Sequence, residues 1–234
     1  MTTTTSIVST VRSIVDMDET DLPLSLIQTY LRDGFERIIN LERRWSFYET
    51  STTLATVAET REYPLSSIGS GNLREITSMV DSTAGGYRLT LIDYDEAEKI
   101  WLNTTDTSSR PLYFADWAGS IHLFPKPDVV YTLNVRGYRK PTYAWVTDTT
   151  GVLEPDCDDR FHNALIYYAV SQSYKRQEDP ELSAVYKQSF DEAVALARRE
   201  LMRPDSHRPM VMSGGRPGPS FNYWLQSLGK QIGS

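Results

Sequence analysis

The chain changes its hydrophobic period twice, and that double change limits the folds open to it. Over residues 23–45 the apolar side chains Leu24, Ile27, Leu31, Phe35, Ile38, Leu41 and Trp45 fall three or four positions apart, one buried stripe of a helix. Pro23 suits the start of such a helix, where its missing N–H costs nothing. A weaker stripe, Ile7, Val11, Ile14 and Val15, predicts a helix over 6–17. From Ser46 onward the pattern is that of strands, rich in Thr, Val and aromatics. Strands are predicted over 46–58, 60–65, 73–81, 86–92, 112–117, 120–124 and 129–139. Turn residues at Gly69-Ser70-Gly71, Gly85-Gly86, Trp117-Ala118-Gly119 and Pro125-Lys126-Pro127 separate them. Tyr131, Leu133, Val135 and Gly137 alternate with Thr132, Asn134, Arg136 and Tyr138, as a half-buried antiparallel strand requires. A short helix, Tyr94–Leu102, interrupts this series. The helical period returns near Asp158 with Phe161, Leu165, Tyr168 and Ala169. It resumes after Asp179-Pro180 with Leu182, Val185, Tyr186, Phe190, Ala193, Val194, Ala197 and Leu201.

Helices, then strands, then helices predict an α+β protein. The expected architecture is a helical bundle formed by N- and C-terminal helices, residues 1–45 and 156–203, with an inserted antiparallel β-domain over 46–155. An extended C-terminal tail, 204–234, follows. Proline and glycine block regular structure in the first half of that tail (Pro204, Pro209, Gly214-Gly215, Pro217, Gly218-Pro219). Its second half carries Phe221, Tyr223, Trp224, Leu225, Leu228 and Ile232, side chains that exposed linkers avoid. The tail is therefore expected to dock on something. Fully extended it reaches roughly 100 Å, far enough to cross a neighbouring subunit. Folding back onto its own domain is the alternative.

Charge separates the two parts. The 234-residue chain carries −7. The tail holds Arg208, Arg216 and Lys230 against Asp205, a net of +2, which leaves −9 on residues 1–203. An acidic body does not grasp nucleic-acid phosphates, which requires clustered Lys and Arg. It suits DNA passing nearby without sticking, and a basic tail docking on an acidic neighbour. No run approaches the ~20 apolar residues of a membrane span, and the N-terminus lacks the pattern of a signal peptide.

The search for chemistry returns little. Cys157 is the only cysteine, which rules out an internal disulfide and a cysteine-cluster metal site. Phosphate-binding loops, nucleophile elbows and zinc-protease signatures are missing. His122, His162 and His207 show no ligand spacing. Glu154, Asp156, Asp158 and Asp159 form an acidic cluster, but its spacing is not that of a calcium loop. These residues precede a helix, where carboxylates cap free N–H groups and oppose the dipole. Acidic neighbours also make Cys157 a poor nucleophile. Arg43-Arg44 beside Trp45 reads either as a phosphate contact or as the solvated end of a helix. No catalytic residue, metal or cofactor is expected.

Several short segments occur together in a particular order. Arg43-Arg44-Trp45-Ser46-Phe47 closes the first long helix, and Tyr63-Pro64-Leu65 follows a Thr-rich strand. Arg110-Pro111-Leu112-Tyr113-Phe114 precedes Gly119-Ser120-Ile121-His122-Leu123-Phe124-Pro125-Lys126-Pro127. Tyr138-Arg139-Lys140-Pro141, Glu154-Pro155, Phe161-His162-Asn163-Ala164-Leu165-Ile166-Tyr167-Tyr168-Ala169 and Asp179-Pro180 complete the series. Over roughly residues 22–203 this order resembles the head-to-tail adaptor (connector) proteins of tailed bacteriophages, including the tail tubular protein A type. The resemblance implies a non-enzymatic virion protein of the neck, made in the host bacterial cytoplasm. It implies a ring, usually of twelve copies, beneath the portal that extends the DNA channel and joins capsid to tail. The partners implied are the portal protein, neighbouring adaptor subunits, the tail nozzle or next neck protein, and genomic DNA passing through without sequence-specific binding; no membrane is involved. Residues expected to bind the portal or a neighbouring adaptor are Arg208, Arg216, Phe221, Tyr223, Trp224, Leu225, Leu228 and Ile232. The competing reading is a tail-associated receptor- or carbohydrate-binding module, which needs a solvent-facing aromatic such as Trp117 or Trp145.

Overall fold

The structure, a computed structural model, describes residues 3–83, 86–103, 107–147 and 154–201. Helix α1 spans Thr4–Val15, with the Thr3 hydroxyl accepting from the Ser6 N–H at 3.3 Å; it ends at Asp16, which adopts the left-handed conformation (φ 54°). Helix α2 spans Leu24–Leu41 and buries Ile27, Leu31, Phe35 and Ile38, the middle of the predicted stripe; Leu41 at its end is exposed, and Trp45, though buried, lies beyond the helix. Pro23 stands just outside it, in extended geometry, and its carbonyl accepts from Leu26 and Ile27. Gly34 gives α2 a flat spot for the Tyr168 ring: a Cβ there would sit 2.9 Å from Tyr168 Cδ1.

Seven strands follow: β1 (Glu49–Ala55), β2 (Glu62–Pro64), β3 (Leu73–Asp81), β4 (Tyr87–Leu91), β5 (Tyr113–Trp117), β6 (Ser120–Phe124) and β7 (Thr132–Arg139). They form one sheet in the order β1-β7-β3-β4-β5-β6-β2. Every strand gives side chains to a single interior cluster. Leu54, Tyr63, Met79, Leu89, Phe114, Leu123 and Val135 each come from a different one. The sheet is therefore curled round its own core. Helix α3 (Tyr94–Asn103) lies between β4 and β5 in sequence and packs Ala97 and Tyr94 against Ala115, Phe124 and Tyr113. Three helices close the described chain: α4 (Ala144–Thr147), α5 (His162–Arg176) and α6 (Pro180–Leu201). Asp179 caps α6 by accepting from the Leu182 N–H at 3.0 Å, as its sequence predicts.

The architecture corrects the expected one. The fold is a mixed α+β with a curled seven-stranded sheet and helices mostly at the C-terminal side. It is not a helical bundle of N- and C-terminal helices carrying an inserted antiparallel β-domain. Two findings carry the correction. β4 runs parallel to β5 (Thr90 opposite Tyr113, Leu91 opposite Phe114), so the sheet is not wholly antiparallel. A parallel pair needs a crossover, and α3 supplies it. Further, the helical core is not built from residues 1–45 and 156–203 alone. Ile7, Val11, Leu31 and Phe35 share it with Phe161, Leu165 and Val194, but also with Trp45 and Tyr48 at the entry to β1 and with Trp145 and Val146 of α4. Apolar stripes mark which helix faces are buried without saying what buries them.

In β7 the predicted alternation holds: Leu133, Val135 and Gly137 are buried between exposed Thr132, Asn134 and Arg136. Gly137 also meets β3 closely, where the register shifts twice, between Leu73 and Glu75 and between Ile76 and Ser78.

Candidate functional site

The residues that sequence reasoning singles out for partner binding, Arg208, Arg216, Phe221, Tyr223, Trp224, Leu225, Leu228 and Ile232, lie outside the described residues. So does Gly85 of the predicted Gly85-Gly86 turn. Other candidates from the sequence have definite places. His162 is buried, neither ring nitrogen has a hydrogen-bond partner among the described residues, and Asp159 Oδ1 lies 3.7 Å from its Nε2. Burial lowers its pKa, and the Asp159 and Glu154 charges do not reverse that. His122 lies on β6 with its ring edge-on to Tyr94 at 4.9 Å. Among the described residues, no three His, Cys, Asp or Glu side chains are grouped so as to hold a metal ion. None of the described helices is long and apolar enough to cross a membrane.

The acidic cluster is divided among separate structural tasks. Asp158 caps the turn before α5, accepting from the Arg160 N–H at 3.1 Å. Asp156 instead receives both Arg139 guanidinium nitrogens, Nη1 at 2.8 Å, and the Thr142 N–H at 2.6 Å. Its backbone carbonyl accepts from the Tyr48 hydroxyl at 2.8 Å, and the Arg139 guanidinium lies 4.8 Å from the centre of the Tyr48 ring. This clasp ties the end of β7 to the segment entering α5. Cys157 is half-buried beside it. Burial, reinforced by the charges of Asp156, Asp158 and Asp159, pushes its thiol well above the usual range.

A second clasp involves Arg43 and Arg44, which stand exposed just past the end of α2, as the solvated helix end expected from the sequence. Both pair with Glu75 of β3, Arg43 at 3.1 Å. Burial alone would raise the Glu75 carboxyl; the Arg44 hydrogen bond and the Arg44 and Arg43 charges hold it below its ordinary value.

The third, absent from the sequence reading, joins Arg110 to Asp81. Asp81 is 1% exposed, and its Oδ2 receives Arg110 Nη2 at 2.7 Å and Nε at 2.8 Å. Burial would raise this carboxyl, but the Thr83 N–H and Arg110 outweigh it and hold it below 3.8. Arg110→Ala leaves a buried carboxylate without its cation and is expected to cost about 2–4 kcal/mol at neutral pH. Because the folded pKa is depressed, the pair stabilises fully above about 3.8 and its contribution is lost as pH falls through the lowered value. Unfolding midpoints of wild type and variant, followed downward in pH, should converge; a constant gap would refute the pairing as the cause.

The described surface offers three features. A depression of about 660 Å³ lies on the outer face of β1, β7, β3 and β4 and is lined by Thr50, Ser51, Thr77, Ser78, Arg88 and Arg136 among others. A more apolar groove of about 480 Å³ runs between α2 and α6, past Leu41, Phe190 and Val194. Third, Trp117 is 56% exposed at the β5–β6 turn and stacks on Tyr94, ring centres 5.4 Å apart. Trp145, the other aromatic singled out, is 2% exposed and belongs to the helical core.

These features are ion-pair clasps and open surfaces rather than an enclosed pocket with convergent acid–base groups. A family model described as SU10 adaptor protein matches residues 2–213. A comparison with curated proteins finds no match.

Proposed function

The chain belongs to the SU10 adaptor protein family, phage adaptor structural proteins, and on that premise we propose that it forms a ring beneath the portal at the virion neck. There it extends the DNA channel and joins capsid to tail. The observation that carries this reading is the family match, which spans every described residue. The clasps support it: Asp156, Glu75 and Asp81 each fasten distant segments, as a protein that bears load between two partners requires.

Within this reading the roles divide as follows. The tail from Pro204 leaves α6 and docks on the portal or an adjacent adaptor. Phe221, Trp224, Leu225, Leu228 and Ile232 recur at helical steps, so the segment forms a short amphipathic helix on docking. Arg208 and Arg216 steer it to an acidic surface. Tyr223 adds an aromatic contact. Part of the acidic body lines the channel, where negative charge discourages phosphate adhesion. The sheet meets the tail nozzle or the next neck protein. The helical elements of 1–45 and 156–203 pack round the ring, with 46–155 as the tail-facing part.

The test mixes the full chain with its phage's portal and images the product by electron microscopy. Rings stacked coaxially on the portal are expected, and a chain ending at Arg203 should lose them, with portal affinity down at least about a hundredfold. Unchanged affinity after truncation would remove the tail from the mechanism. Free chains beside bare portals would overturn the ring itself and favour the receptor- or glycan-binding reading, for which exposed Trp117 is the stacking residue to test.

A further inference from the structure

Two flanks of the curled sheet carry opposite chemistry. On the first, paired residues share a face, so the register places side chains in rows. Ser51, Arg136 and Ser78 stand side by side across β1, β7 and β3. Thr53, Asn134, Val80 and Arg88 make the adjacent row. This is the back of the sheet, since Leu133, Val135 and Leu89 point into its interior. No helix covers it among the described residues. Arg88 and Arg136 are exposed, and neither guanidinium has an ion pair or hydrogen bond among the described residues. Glu49, at the edge of the same face, is its one carboxylate lining the depression. The face is thus hydroxyl-rich with two available cations, on a chain whose net charge is −7.

The second flank is the back of β5 and β6. There Trp117 projects beside α3, and Tyr94 lies between it and His122. Asp93, just before α3, and Asp95, Glu96 and Glu98 along it are all exposed, with Lys99 the one cation among them. Because all seven strands wrap round one interior, the backs of β7–β3 and of β5–β6 look away in different directions. Along the sheet β4 separates them, with β1 at one edge and β2 at the other.

We propose that these flanks are the two halves of one contact between copies: the Arg88–Arg136 face of one subunit seats on the Trp117–Tyr94 platform and carboxylates of the next. Guanidinium groups suit this pairing on two counts. They stack on an exposed indole face, and they bind carboxylates through paired N–H groups. A contact between unlike patches is head-to-tail, and repeated by rotation it closes into a ring. The inference rests on the ring proposed above and specifies the surface that closes it.

The experiment compares four full-length chains mixed with portal, scored by counting closed rings in electron micrographs. Wild type forms rings. Arg88→Glu with Arg136→Glu sets carboxylates against carboxylates and is expected to reduce rings about a hundredfold, while the exposed positions leave the melting temperature unchanged. Adding Asp95→Lys and Glu98→Lys to that chain restores complementary charge and should restore rings. Trp117→Ala removes the stacking surface and should reduce rings about tenfold. Rings that form equally well from the chain carrying only Arg88→Glu and Arg136→Glu overturn the contact while leaving the ring reading intact. Failure of wild type to form rings overturns both. If the reversed chain loses DNA or tail-protein binding but still forms rings, the face serves that other partner and the contact is refuted. Where the reversed chain does not fold, Arg88→Ala with Arg136→Ala decides by the same count.

Discussion

Gly137→Ala is expected to destabilise the protein by about 3 kcal/mol or more, although it adds a single methyl group. The usual Gly-to-Ala change in a strand is mild or stabilising, because alanine loses less backbone freedom on folding. Here the geometry reverses that. The new Cβ would overlap the Glu75 carbonyl oxygen, 3.0 Å from its carbon and 3.1 Å from Ile76 Cα. These are backbone atoms of the neighbouring strand, so no rotamer change relieves the overlap. Either β3 moves away from β7 or their pairing breaks. Both outcomes disturb Leu133 and Val135 beside Ile76 and Met79 in the sheet interior. Denaturant unfolding measures the effect, with Ser51→Ala, an exposed change on β1, as the control within about 0.5 kcal/mol of wild type. Equal midpoints for Gly137→Ala and wild type would mean that β3 and β7 are not in this register.

Asp156→Ala should cost about 3 kcal/mol. The carboxylate accepts two hydrogens from Arg139 and one from the Thr142 N–H, and little of it is exposed. Its removal strands a guanidinium held over the Tyr48 ring and leaves an N–H without its acceptor. The Tyr48 hydroxyl keeps its bond, since it donates to the Asp156 backbone carbonyl. A double-mutant cycle with Arg139→Ala separates pairing from the rest. The combined loss should fall short of the sum by about 1–3 kcal/mol. Strict additivity would reduce Asp156 to a surface cap.

What the sequence disclosed is what is local. The α2 stripe from Ile27 to Ile38, the alternation in β7 and the Asp179-Pro180 start of α6 are set by neighbours within a few positions and are found where predicted, whereas the stripe's expected end, Leu41 and Trp45, is an exposed residue and one beyond the helix. α3 was also legible as Tyr94–Leu102 and is observed as Tyr94–Asn103. Its role as a crossover was not, because the β4–β5 pairing depends on strands some 20 residues apart that hold only two partner pairs. The clasps were hidden for the same reason. Nothing near Arg44 announces Glu75, 31 positions away, and nothing near Arg110 announces Asp81. Charge signs alone allow many pairings. Trp117 and Trp145 looked equivalent as candidates. Their difference arises because one sits in a turn at the end of β5 and the other in α4, a short helix without a periodic stripe long enough to detect. The family order of motifs was legible throughout, and several of its residues prove to be clasp or core members: Trp45, Arg110, Arg139 and Phe161.

The state of Cys157 has a practical corollary. The chain's sole sulfhydryl is expected to react slowly at neutral pH, because the thiolate is the form that attacks a maleimide and burial among carboxylates disfavours it. A cysteine introduced at an exposed site would then take a fluorophore nearly alone, with no need to delete the native residue. Asp33→Cys on α2 and Lys187→Cys on α6, both exposed and off the two flanks, would each carry a single dye, one donor and one acceptor. Energy transfer between the two preparations would follow subunits joining in real time, in solution, before any image is recorded.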